Sequence, residues 1–182
     1  EVGYKRGQFY FKAKKLQGAD ILLDEASVTA TENAIMACVS AQGSSTIRNA
    51  ASEPHVQELC NFLNILGAKI YDIGSNTLHI EGVPKLHGGE FTIGPDYLEV
   101  VSFIGASVVT RGSIKIRNAA PQYLNMIKLV MGRMGVTWKE ENGHIIVPEK
   151  QSLEIESDLG GMIPEISVMP WPAFPTDLMS IA

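Results

Sequence analysis

The chain has 182 residues, 45% of them hydrophobic, enough for one large packed domain or two small ones. Its 20 acids against 15 bases leave a net charge of −5, which argues against a nucleic-acid partner, because such proteins carry a strong basic footprint. Cys38 and Cys60 stand among apolar helical neighbours and read as buried free thiols. No apolar run approaches the ~20 residues of a membrane span and no charged-then-apolar leader opens the chain, so the economical reading is a soluble cytoplasmic protein.

In chain order, residues 8–13 alternate with aromatics in a strand-like way. Lys5, Arg6, Lys12, Lys14 and Lys15 lie among Tyr4, Phe9, Tyr10 and Phe11. A basic aromatic strand can stack bases, but in an acidic chain this one reads as a solvated edge hairpin. A first unit then spans residues 19–83. It opens with a strand at 21–23, and Thr29 and Glu32 have the spacing of a capping box. The helix they introduce, 32–41, is apolar all round, which predicts burial on every side. Thr46-Ile47 is the next strand. Pro54 opens an amphipathic helix that stops at Gly67, since proline lacks only an N–H that has no partner in a first turn. Strands at 69–72 and 77–81 follow, joined through Gly74-Ser75-Asn76.

The second unit, residues 86–148, repeats the order. Asp96 caps its apolar helix, Gly112 ends it and Pro121 opens the amphipathic helix. Asn142-Gly143 turns between strands at 136–139 and 144–147. Ile47-Arg48-Asn49-Ala50-Ala51 returns as Ile116-Arg117-Asn118-Ala119-Ala120, 69 residues later. The helical stripe Val56, Leu59, Phe62, Leu63, Leu66 returns as Leu124, Ile127, Val130, Met131, Met134. Two such pieces are copies of one supersecondary unit of order β-α-β-α-β-β. Residues 149–161 read as a connector. A third unit begins with a strand at 166–168, followed by Pro170-Trp171-Pro172-Ala173-Phe174-Pro175 and a helix from Thr176-Asp177 that stops at Ala182. The expectation is a piece of a larger protein.

Six segments carry a resemblance: Ala26-Ser27-Val28-Thr29-Ala30-Thr31-Glu32, Asn49-Ala50-Ala51-Ser52-Glu53-Pro54, Leu66-Gly67-Ala68-Lys69-Ile70, Ile80-Glu81-Gly82-Val83, Pro95-Asp96 and Pro172-Ala173-Phe174-Pro175-Thr176-Asp177. Together, in this order, the chain resembles the enolpyruvyl transferases, and within them the branch that acts on UDP-N-acetylglucosamine. The resemblance implies an inside-out α/β barrel fold of two lobes, each of three βαβαββ units, of which this chain holds a part. Residues 1–92 would be the C-terminal part of one lobe and residues 93–182 the beginning of the second. The implied reaction transfers the enolpyruvyl group of phosphoenolpyruvate to the 3′-hydroxyl of UDP-N-acetylglucosamine, the first committed step of peptidoglycan synthesis. No cofactor and no metal is implied; His55, His79, His87 and His144 have no ligand spacing. The partners implied are the two substrates and the remainder of the same polypeptide, with no nucleic acid and no membrane.

The resemblance also assigns residues. Ser27, Val28 and Thr29 stand where the family holds the uridine diphosphate, and free amides with two hydroxyls at a helix start suit an anion. Read without the resemblance, Thr29 is a cap. Glu25 stands where many members have a lysine near the phosphates. Asp177 matches the aspartate that contacts the sugar 3′-hydroxyl and acts as its base; by itself it would be a helix cap. Glu53 matches a glutamate close to the active site, and is otherwise a first-turn acid favoured by the helix dipole. Asp96 lies near the interlobe region. The family's loop cysteine and its phosphoenolpyruvate-holding residues match no position in this chain, which implies that it is inactive by itself. Two alternatives stay open: the shikimate-pathway enolpyruvyl transferase, and a non-catalytic homologue that binds a nucleotide sugar.

Overall fold

Asn49 and Asn118, each third in its pentapeptide, both hold the left-handed backbone conformation, at φ 57° and 49°. Asparagine tolerates that region because its short amide can bond locally. In each copy the next alanine donates its N–H across the unit, Ala50 to the Asn76 carbonyl at 2.9 Å and Ala119 to the Gly143 carbonyl at 2.8 Å. The computed structural model describes residues 1–182, which form two compact units, Glu1–Phe91 and Thr92–Ala182.

Unit 1 begins with the hairpin β1 (Val2–Lys5) and β2 (Gln8–Phe11). Directly opposed residues of an antiparallel pair share a face, so Val2, Phe11, Tyr4 and Phe9 line one side, and all four are exposed. The rest of the unit runs β3 (Asp20–Leu22), α1 (Val28–Val39), β4 (Ser44–Arg48), α2 (Pro54–Ile65), β5 (Lys69–Tyr71) and β6 (Thr77–Glu81). The sheet order is β3-β4-β6-β5, with β3 parallel to β4 and the other pairs antiparallel. Period-two alternation puts Ile47, Leu78, Ile80 and Ile70 on the inner face. They pack with Ile35 and Val39 of α1 and with Val56, Cys60 and Leu63 of α2. Each fully buried aliphatic side chain contributes about 1.5–3 kcal/mol. Gly82 is required where the chain leaves β6, because a Cβ there would collide with the Ala41 carbonyl.

Unit 2 contains α3 (Tyr97–Val109), β7 (Ile114–Ile116), a 3₁₀ turn at Pro121–Tyr123, α4 (Asn125–Arg133), β8 (Lys139–Glu141) and β9 (His144–Val147). Its sheet, β7-β9-β8, is antiparallel throughout. Val101, Ile104 and Val108 of α3 meet Ile127, Val130 and Met131 of α4 and Ile145 and Val147 of β9 in its core. The caps Ser27 and Asp96 stand 69 residues apart, the spacing of the pentapeptides. No helix of the chain is long and apolar enough to cross a membrane.

The structure departs from the sequence pattern at several elements. α1 begins at Val28 and Ser27 is its cap, so the Thr29–Glu32 box is not formed. α1 and α3 are covered on one face only: Met36, Phe103 and Val109 are exposed, Val109 at 80%. In each unit the helices pack on one sheet, β3-β4-β6-β5 in unit 1 and β7-β9-β8 in unit 2, and a sheet can bury one side of a helix. Unit 2 has no first strand. Residues 86–91 are instead held by α2 of unit 1, through the His87 N–H on the Leu66 carbonyl at 2.9 Å and the Phe62–Phe91 ring pair at 5.5 Å. Pro121 opens a 3₁₀ turn, and α4 starts four residues later, because Ala120 is left-handed and Leu124 is non-helical. No strand forms at 166–168, and Thr176–Leu178 is a 3₁₀ turn.

Candidate functional site

The residues assigned in unit 1 gather around two helix starts. Ser27 is extended, at φ −74° and ψ 127°, and its Oγ accepts from the Ala30 N–H at 3.3 Å. The Thr29 hydroxyl lies 3.5 Å from it. The start of this 12-residue helix therefore presents two hydroxyls beside amides that have no intrahelical acceptor. Hydroxyl donors and an N-terminal dipole suit a phosphate. Glu25 is exposed just ahead, and its carbonyl accepts from the Ser27 N–H at 2.8 Å.

Glu53 occupies the cap position of α2, with Pro54 next, yet its side chain makes no cap hydrogen bond. One of its carboxylate oxygens, Oε2, is buried without a hydrogen-bond partner. A buried, unsatisfied acceptor costs about 1–3 kcal/mol, so each such exception calls for a reason, a catalytic role being one.

Thr31 was missed in the sequence and ties these two turns together. Its hydroxyl is fully buried, donates to the Ser27 carbonyl at 2.7 Å and accepts from the Ala51 N–H at 2.9 Å. The Ser27 cap and the loop leading to Glu53 thus share one bridging oxygen. The repeat held the signal: the position 69 residues on is Val100, so a hydroxyl is kept in one copy only.

In unit 2, Asp96 caps α3 as expected, accepting from the Leu98 N–H at 2.8 Å. Asp177 lies exposed in the 3₁₀ turn Thr176–Leu178. The neighbours of Asp177 are anchored: Phe174 and Leu178 are 2% and 1% exposed and belong to the core that holds α3. The structure therefore groups Ser27, Val28, Thr29 and Glu53 in one unit, and Asp96 and Asp177 in the other.

Shifted ionisation occurs elsewhere in unit 1, at Cys60 and at the Asp20–Arg48 pair among others. Burial pushes the Cys60 thiol up to about 11. On the outer sheet face Arg48 holds Asp20 by two hydrogen bonds, Nε to Oδ1 at 2.9 Å and Nη2 to Oδ2 at 3.0 Å, and this lowers the Asp20 carboxyl below its ordinary value. Arg117, the counterpart of Arg48, is in no ion pair, since unit 2 lacks the strand that carries Asp20.

The α/β arrangement is that of the enolpyruvyl transferases. The enolpyruvyl transferase NikO from Streptomyces tendae matches with a TM-score of 0.69 at 23% identity, over 81% of this chain and 39% of that one. An EPSP synthase from Acinetobacter baumannii matches with 0.64 at 15% identity, over 90% of this chain and 39% of that one. The family profile described as EPSP synthase (3-phosphoshikimate 1-carboxyvinyltransferase) matches residues 1–182, and the chain belongs to that family. Among named relatives, the UDP-N-acetylglucosamine 1-carboxyvinyltransferase of Treponema denticola is 57% identical over 173 residues, 95% of this chain and 41% of that protein. The one from Borreliella burgdorferi is 51% identical over 181 residues, 100% of this chain and 42% of that protein. The chain spans about two fifths of the length of these curated relatives.

Proposed function

We propose that the chain is part of an enzyme that transfers the enolpyruvyl group of phosphoenolpyruvate to the 3′-hydroxyl of UDP-N-acetylglucosamine. The observation that carries this reading is the 57% and 51% identity to proteins named for that reaction, over 95% and 100% of the chain. Such an enzyme works in the cytoplasm and commits the sugar nucleotide to peptidoglycan, the polymer that sets cell shape and is remade at division.

In this reading Asp177 takes the proton of the 3′-hydroxyl as that oxygen bonds to C2 of phosphoenolpyruvate. C3 gains a proton from an acid outside this chain. The tetrahedral adduct then breaks its C2–O bond to phosphate and loses a proton from C3, giving the enol ether and inorganic phosphate. A general base must lie within hydrogen-bond reach of the proton it takes, and the exposed Asp177 carboxylate is open to a substrate hydroxyl. Glu53 is the second carboxylate for proton traffic, and its unsatisfied Oε2 supports a role beyond capping. Ser27, Val28 and Thr29 receive the diphosphate, and Asp96 contributes to the sugar-nucleotide side. Residues 1–92 end one lobe and residues 93–182 begin the other; the division of the structure at Phe91 and Thr92 supports this. The exposed apolar faces at Tyr4, Phe9 and Met36 in unit 1, and at Phe103 in unit 2, support covering by the remainder of the same polypeptide.

The test uses the intact protein and follows phosphate release from phosphoenolpyruvate with UDP-N-acetylglucosamine. Asp177→Asn should lower kcat by roughly 10²–10⁴ with thermal stability near wild type, and the 182-residue chain alone should not exceed background. An Asp177→Asn enzyme with wild-type kcat overturns the assignment of the base. One observation favours a second acceptor: the family description names 3-phosphoshikimate. Calorimetry on the intact protein with either acceptor separates the two, and binding of shikimate 3-phosphate alone would displace UDP-N-acetylglucosamine as the acceptor.

A further inference from the structure

The Asp177 carboxylate is exposed, in no ion pair, and carried by a turn with no side-chain cap. Its direction is set by the backbone, and the backbone by what packs against it. Phe174 and Leu178 fix the turn from below. Ahead of them the chain folds back on itself, with the Ala173 N–H on the Pro170 carbonyl at 3.2 Å and the Met169 N–H on the Phe174 carbonyl at 3.1 Å. Trp171 stands within this loop. Its ring centroid is 5.2 Å from that of Tyr97, tilted by 54°, and 6.3 Å from that of Tyr123, edge-on at 68°. Both separations fall within the ~4.5–7 Å of attractive aromatic pairs. Tyr97 is the first residue of α3, beside the cap Asp96, and Tyr123 ends the 3₁₀ turn ahead of α4. Trp171 thereby ties the segment bearing Asp177 to the starts of two helices already fixed in the core.

We propose that Trp171, clasped between Tyr97 and Tyr123, is a positioning residue that aims Asp177 at the sugar 3′-hydroxyl. The inference rests on the reading of Asp177 as base and deepens it by naming what holds the base on line. Proton transfer requires hydrogen-bond reach between carboxylate and hydroxyl, and a displacement of ~1 Å can cost about a hundredfold in rate. Trp171 acting only as packing would change stability and would change rate whether or not Asp177 were present. Trp171 acting as a positioning residue changes rate only through Asp177.

The experiment is a double-mutant cycle in the intact protein, with Trp171→Leu, Asp177→Asn and both together, at a temperature where circular dichroism shows each to be folded. kcat and the sugar-nucleotide KM are read from phosphate release. Trp171→Leu should lower kcat by about ten- to a hundredfold, with KM changed by less than about threefold, because orientation is lost and binding is kept. Trp171→Phe, which restores a ring between the tyrosines, should recover most of the loss. With Asp177→Asn already present, Trp171→Leu should cost nothing further. Should Trp171→Leu not fold, Tyr123→Leu loosens the same clasp and is expected to show the same non-additivity. Equal losses with and without Asp177→Asn overturn the inference and leave the base in place; so does an unchanged kcat in Trp171→Leu. Wild-type kcat in Asp177→Asn overturns the reading of the base, and the inference with it.

Discussion

Replacing Thr31 by valine removes one buried oxygen while keeping almost the same volume. The hydroxyl makes two hydrogen bonds, to the Ser27 carbonyl at 2.7 Å and from the Ala51 N–H at 2.9 Å. The Ser27 carbonyl retains the Thr31 N–H at 3.0 Å, so its loss is the smaller part. The Ala51 N–H is left buried without an acceptor, which costs about 1–3 kcal/mol, and the lost bonds add about 1 kcal/mol. The added methyl returns about 0.8 kcal/mol, leaving a net loss near 2 kcal/mol. Sterically the site accepts valine, since the repeat places buried Val100 at the matching position. Both tryptophans, Trp138 and Trp171, lie in unit 2, so their fluorescence does not report on this change. The measurement is amide hydrogen exchange at core positions of unit 1 such as Ile47, which should accelerate by roughly thirtyfold. Thr31→Ser, which keeps the oxygen, should cost less than half as much. A loss below about 0.5 kcal/mol in Thr31→Val would refute the claim that this hydroxyl joins the two turns.

Ser27→Ala should destabilise α1 by about 1 kcal/mol through loss of its cap; in the intact protein the sugar-nucleotide KM should rise more than kcat falls, and unchanged KM would remove Ser27 from the diphosphate site. Cys60, pushed up to about 11 by burial, should resist alkylation at neutral pH in the folded protein and react once denatured, as read by peptide mass spectrometry; rapid native labelling would contradict its burial. Asp20 is held low by Arg48, so its contribution is present at neutral pH and is lost as pH falls through the lowered value. Asp20→Asn should therefore flatten the fall in unit 1 stability below about pH 4, and identical acid slopes in both proteins would show the pair to be inert.

What was legible in the sequence was whatever a local pattern dictates. The stripe from Val56 to Leu63 and its copy from Ile127 to Met131 read directly as helix faces turned to the cores, because helical period fixes which side chains align. The Asn142-Gly143 turn follows from residues that tolerate positive φ. Thr31 was illegible because its importance depends on Ala51, 20 residues away across the unit. The one-sided burial of α1 and α3 was hidden for a similar reason: an apolar helix shows what it can bury, and its sheet decides how much is covered. The strand expected at the start of unit 2 failed because residues 86–91 found partners on α2 instead. Among the candidate site residues, the cap role of Asp96 was readable from spacing. The orphaned oxygen of Glu53 and the aromatic clasp around Trp171 needed three dimensions.

The two cores share no residue, and each is drawn from one continuous stretch of chain. The pairings within the β3-β4-β6-β5 sheet are complete by Glu81. On a ribosome adding roughly 5–20 residues per second, residues 92–182 take on the order of 5–20 s to follow. β-sheets of this size pair within milliseconds to seconds. Unit 1 can therefore be closed around its own core before unit 2 has a sequence to fold. A lesion such as an unfilled Ile47 or Leu78 would be met by the cell's quality control on the nascent chain, whereas one in Ile127 or Ile145 would surface only after synthesis had passed it.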